Sequence, residues 1–113
     1  MSEERPSDQE IVYRFQQMRQ QQMELNQKIA ELGGDVEEHK VVEDALSKTE
    51  ADRKCFRMVS GVLIERTVAE VLPAIKQNKS QIEDLVKQLQ KQLETTNKNL
   101  ADYQKKYNIK VKN

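Results

Sequence analysis

Large aromatic side chains are almost missing from this sequence: there is no tryptophan, and phenylalanine and tyrosine together make up 4% of 113 residues. With a hydrophobic content of only 36%, a thick globular core is hard to build. The single cysteine excludes an internal disulfide. No run approaches the ~20 apolar residues of a membrane span, and the first thirty residues lack the apolar centre of a signal peptide. Lys plus Arg and Asp plus Glu number 19 each, so no net field draws the chain to nucleic acid or to an anionic membrane. The expectation is a cytoplasmic chain with neither as a partner.

Catalytic constellations are missing too. His39 is the only histidine and stands near Glu37, Glu38 and Glu43, but a metal site needs more converging ligands. It reads as a partly exposed residue on or beside a helix seam. No Ser, His and Asp set, Walker A loop or dinucleotide fingerprint is present, and carboxylates on an extended stalk face water. No enzyme activity, metal or cofactor is expected.

What the sequence does contain is heptad periodicity. Ser7 and Glu10 form a capping-box signal, and from there a stripe runs Ile11, Phe15, Met18, Gln22, Leu25, Ile29, Leu32, Val36, His39, Val42, Leu46 and Thr49, with one phase slip after Val36. This predicts a first helix over residues 7–50. Gly33-Gly34 interrupts it at a cost of about 2 kcal/mol relative to alanine, yet the apolar phase continues across the pair, which favours one helix with a weak point. A second capping-box signal, Thr67 to Glu70, opens a helix over 67–107. Its stripe is unbroken: Val68, Leu72, Ile75, Lys79, Ile82, Val86, Leu89, Leu93, Thr96, Leu100, Tyr103 and Tyr107. Pro73 removes a backbone donor inside this pattern and predicts a kink near Val71 to Pro73.

Between the helices lies the one β-like passage, residues 54–66, with Ser60-Gly61 where a tight turn falls. Its register has two solutions. A two-residue loop pairs Met58 with Leu63; a three-residue loop pairs Met58 with Val62 and Phe56 with Ile64, which gives the cleaner two-faced ribbon with Phe56, Met58, Val62 and Ile64 on one face. Cys55 reads as a small strand residue with no nearby histidine to activate it. An isolated hairpin is marginally stable at best and its edges carry unpaired N–H and C=O groups. With no other strand in the chain, the missing neighbours are expected from other chains. Arms of nearly equal length fold back on each other, so the expected fold is mainly α: a long antiparallel two-helix coiled coil with a central β-hairpin at one end and both termini at the other.

That terminal end gathers Ile11, Val12, Tyr13 and Phe15 with Tyr103, Tyr107, Ile109 and Val111. Two readings stand: a contact surface, or apolar residues that only lock the helix ends. Charge is uneven along the chain. Residues 31–50 are acidic, whereas residues 98–113 carry Lys98, Lys105, Lys106, Lys110 and Lys112 against Asp102 alone. Such a run is either a solvated face or a source of affinity for acidic partners.

The passage from Arg53 to Val68, RKCFRMVSGVLIERTV, followed by Glu70-Val71-Leu72-Pro73, resembles the signature of the β-type prefoldin subunits. Glu38-His39, Val42 and Tyr107-Asn108-Ile109-Lys110 extend the likeness from about Ile11 to Val111. Ser60 stands where the family often has the first of two glycines, Phe56 replaces a common tyrosine, and Gly33-Gly34 is unusual for this helix. The resemblance implies a single prefoldin-type domain over 1–113, with 108–113 as a C-terminal tail. It implies a heterohexamer of two α-type and four β-type subunits whose hairpins form an intersubunit β-barrel. It further implies nucleotide-independent capture of unfolded chains, such as actin and tubulin, and transfer to the cytosolic group II chaperonin. On that basis Cys55, Phe56, Met58, Val59, Val62, Leu63 and Ile64 are assembly residues. Ile11, Val12, Phe15, Tyr107, Ile109 and Val111 are client-contact candidates. The alternative is a coiled-coil scaffold or tether without chaperone activity.

Overall fold

The computed structural model describes residues 4–112, with elements in the order α1 (Asp8–Ser47), β1 (Lys54–Val59), β2 (Val62–Thr67) and α2 (Val68–Lys106). Residue 113 of the expected tail lies outside the described residues. The chain divides into a terminal unit, residues 4–29 with 87–112, and a hairpin unit, residues 30–86. Within each unit the two helices are antiparallel neighbours. In the terminal unit the Tyr103 hydroxyl donates to the Ile11 carbonyl at 3.3 Å and the Gln22 amide donates to Asn97 Oδ1 at 2.7 Å. In the hairpin unit the Lys79 ammonium donates to Glu43.

The start of α1 is set by Ser7, whose hydroxyl oxygen accepts the Glu10 N–H at 3.2 Å and so satisfies one of the free donors of the first turn. The helix then passes through Gly33-Gly34 without a break. A Cβ at either glycine meets nothing within 4 Å, so close packing does not require them. The end comes at Ser47, three residues before the sequence expectation. There the Ser47 and Thr49 hydroxyls donate back to the carbonyls of Asp44 and Ala45, at 2.8 and 2.9 Å, and the Thr49 N–H reaches Leu46 at 3.1 Å. Local bonds of this kind satisfy terminal carbonyls and compete with further helix.

All twelve positions of the second stripe, eleven in α2 and Tyr107 just past its end, are buried or half-buried, as the periodicity predicts. In α1 one position differs. Val42 is exposed, and Glu43 takes its place in the seam. The expected phase slip therefore vanishes: the steps run Val36, His39, Glu43, Leu46, and the regular helix is preserved by accepting a carboxylate where Lys79 waits across the seam at 2.5 Å. The hydrogen bond from Lys79 holds the Glu43 carboxyl below its usual range, against the desolvation that would raise it. The same bond holds Lys79 above the usual ammonium range.

The hairpin settles its register on the two-residue loop: Met58 pairs with Leu63 and Val59 with Val62. The three-residue alternative, and with it the shared face of Phe56, Met58, Val62 and Ile64, is thereby corrected. Ser60 at φ 50° and Gly61 at φ 79° both adopt the left-handed conformation, the signature of a type I′ turn whose twist matches the strands. Serine accepts this region at a steric cost that glycine would avoid.

The base of the hairpin is tied to the α1–β1 connection by backbone alone. The Val68 N–H donates to Arg53 at 3.0 Å and the Ala69 N–H to Ala51 at 2.9 Å, which satisfies two free donors at the start of α2. Thr67 is thus not the predicted cap. Its hydroxyl donates to the Glu70 carboxylate at 3.1 Å, and Arg66 lies 3.5 Å from the same group. Val68 is 2% exposed at this junction. Helix α2 continues through Pro73 in its second turn. It ends in a Schellman arrangement: Asn108 is left-handed at φ 51°, its N–H reaches Lys105 at 3.3 Å, and the Ile109 N–H reaches Gln104 at 2.9 Å. Lys105 and Lys106 in the last turn complement the helix dipole.

Two outcomes follow from these local features. Replacing Ser60 with glycine is expected to stabilise the hairpin by about 1 kcal/mol, and Ser60→Val to destabilise it by at least as much, read from chemical denaturation of the assembled protein. Glu43, with a depressed pKa, stabilises above its unfolded pKa and loses that contribution as pH falls through the folded value. Lys79, with a raised pKa, contributes below its unfolded pKa and loses it as pH rises through the folded value. The pair therefore acts across the neutral range. The drop in thermal midpoint caused by Glu43→Gln should be full at pH 7 and shrink as the solution is acidified below the ordinary carboxylate range; a constant drop would assign it to packing instead.

Candidate assembly and contact surfaces

The register sorts the hairpin side chains into two rows, because directly paired residues of an antiparallel ribbon share a face. One row holds Lys54, Phe56, Met58, Leu63, Glu65 and Thr67, with Lys54 and Glu65 bridged at 3.3 Å. The other holds Cys55, Arg57, Val59, Val62, Ile64 and Arg66. Both rows mix apolar side chains with charges near the hairpin base and are purely apolar toward the tip.

Exposure is the decisive property. Phe56, Met58, Val59, Val62 and Leu63 are 43 to 69% exposed, while Cys55 and Ile64 are half-buried. Fully burying one such large side chain is worth about 1.5–3 kcal/mol. The sheet has two strands, so among the described residues neither outer edge meets another strand. All seven assembly candidates are thus brought together on one small ribbon with unpaired edges.

Beside the ribbon an open groove of about 560 Å³ runs between the Cys55 row and α2, with Arg57, Arg66, Glu70 and Ile75 among its walls. His39 also lines it. His39 Nδ1 is engaged with the Asp35 carbonyl at 2.7 Å. Among the described residues no cluster of His, Cys, Asp or Glu is placed to hold a metal ion, and no helix is long and apolar enough to cross a membrane.

The terminal unit separates the client-contact candidates into two groups. Ile11 and Phe15 are buried in the seam, where they lock the helix ends. Val12 at 49% and Val111 at 44% are exposed, and Tyr107 and Ile109 are half-buried. Tyr13, adjacent to Val12, is 61% exposed and belongs with this group. Its helical phase, off the seam, was the available signal. Tyr107 packs edge-on against Tyr103 at 4.9 Å, with Arg5 over its ring at 5.9 Å and Lys106 at 5.2 Å. The Gln104 amide donates to the Ile109 carbonyl at 3.1 Å, so the Schellman turn holds the tail against the helix end.

The family model described as "Prefoldin subunit" matches residues 9–113. The chain belongs to the prefoldin family. It is 43% identical over 105 residues to prefoldin subunit 2 of Homo sapiens, across 93% of this chain and 68% of that one. It is 42% identical over 105 residues to the probable prefoldin subunit 2 of Dictyostelium discoideum, across 93% and 90%. The fold matches the crystal structure of the prefoldin beta subunit from Thermococcus strain KS-1 with a TM-score of 0.79 at 17% identity, over 94% of this chain and 93% of that one. Two long helices around a central antiparallel hairpin are therefore the prefoldin β-subunit fold.

The burial difference within the terminal unit of this prefoldin chain is testable by denaturation. Phe15→Ala is expected to cost about 3 kcal/mol, whereas Val12→Ser should stay within about 0.5 kcal/mol of the parent.

Proposed function

We propose that the chain is a β-type subunit of a heterohexameric prefoldin with two α-type and four β-type members, formed as one domain over 1–113. Its hairpin adds to neighbouring hairpins in an intersubunit β-barrel through Cys55, Phe56, Met58, Val59, Val62, Leu63 and Ile64. The observation that carries this reading is the exposed, edge-unpaired ribbon of a prefoldin-family chain. Pairing its edges with further strands satisfies the free backbone groups and removes the apolar rows from water in one step.

The terminal unit is the capture end. Val12, Tyr107, Ile109 and Val111 offer apolar area to unfolded chains, with Tyr13 beside them, and Ile11 and Phe15 hold that end together from below. One such end presents little area and binds weakly. Several ends in one assembly raise the effective concentration of contact sites, so a client is held without a deep pocket and released without nucleotide. The clients are cytoplasmic unfolded or nascent polypeptides such as actin and tubulin, and the recipient is the cytosolic group II chaperonin.

Native mass measurement of the reconstituted complex, followed by client aggregation assays without nucleotide, tests the proposal. The expected result is a hexamer that suppresses aggregation, and exclusion of the Met58→Ser, Leu63→Ser double variant from it. A complex that forms but leaves aggregation unchanged would favour a tether.

A further inference from the structure

We infer that the terminal end of this chain selects client segments in which apolar residues are flanked by acidic ones; this rests on the capture reading above and adds a charge preference to it. The sequence concentrates Lys105, Lys106, Lys110 and Lys112 in the last nine residues, with no acidic residue after Asp102. In the structure none of the four lysines forms an ion pair with a described residue, whereas four of the five lysines of the hairpin unit, Lys40, Lys48, Lys54 and Lys79, each have a carboxylate partner. Lys106 lies over the Tyr107 ring, as does Arg5, which is also bridged to Asp8 at 3.3 Å.

These charges sit among the exposed apolar groups. The Tyr103–Ile11 hydrogen bond sets Val12 and Tyr13 beside the end of α2, and the bond between Gln104 and Ile109 holds the start of the basic tail there. A segment that buries its apolar residues on Val12, Tyr13 and Ile109 must bring its flanks near unneutralised ammonium groups. Carboxylates on those flanks gain what lysines would lose. Such attraction fades over about 8 Å at physiological ionic strength, so it acts on residues immediately flanking the contact and leaves the rest of the client unselected.

The test uses two fluorescent unfolded peptides with the same apolar centre, one flanked by Glu and one by Lys, titrated against the complete prefoldin complex containing this chain. The acid-flanked peptide is expected to bind about fivefold tighter at low salt and to lose most of that advantage at 0.5 M salt. Lys105→Glu, Lys110→Glu and Lys112→Glu together should reverse the preference, while Val12→Ser with Tyr13→Ser should weaken both peptides. Equal affinities, or a preference untouched by charge reversal, would overturn the inference while leaving capture intact. Binding of neither peptide would overturn both. Equally tight binding of an oligonucleotide of matching charge without an apolar centre would also overturn it, by showing a general polyanion surface.

Discussion

A two-stranded ribbon cannot satisfy its own backbone. Each strand of this hairpin pairs on one side, and the other side points its N–H and C=O groups outward alongside apolar side chains that are mostly in water. The rest of the chain is arranged so that this ribbon is nevertheless well defined. A type I′ turn fixes its tip, two backbone hydrogen bonds from the start of α2 fix its base, and a buried Val68 anchors the junction. The result is a locally fixed ribbon whose outer edges are left without strand partners among the described residues.

The helices meet a different constraint, since so few large apolar residues must hold two forty-residue helices together. Burial is accordingly thin, and the seam includes polar steps that a globular core would reject. Gln22 with Asn97 and Glu43 with Lys79 are bonded across the helices, so each polar group finds a partner at one relative placement of α1 and α2 within its unit. Apolar stripes alone would tolerate sliding by a heptad; these pairs do not.

Much of this was legible in the sequence, and what escaped has identifiable causes. Helix α2 could be read position by position because its apolar residues keep the 3–4 step from Val68 to Tyr107. In α1 the same reading chose Val42, since a stripe drawn on one helix cannot see that Lys79 on the other makes Glu43 acceptable. Thr67 had the right spacing to cap α2, but the donors were taken by Arg53 and Ala51 carbonyls, which are adjacent only once the chain has folded. The apolar residues of the hairpin were visible as types, because β-branched and sulfur side chains stand out among Gln and Lys. At the terminal end residue type was insufficient: Ile11 and Val12 look alike in sequence, and only helical phase separates the buried side chain from the exposed one.

The tip of the hairpin has one further consequence. With two residues in the turn, Leu63 shares a row with Phe56 and Met58, while Val62 shares the opposite row with Val59. A three-residue turn in this same sequence would pair Met58 with Val62, sliding the returning strand by a single step and exchanging those allegiances without altering any apolar side chain. Turn length at this spot therefore decides which apolar side chains stand together on each face, and hydrophobicity alone does not.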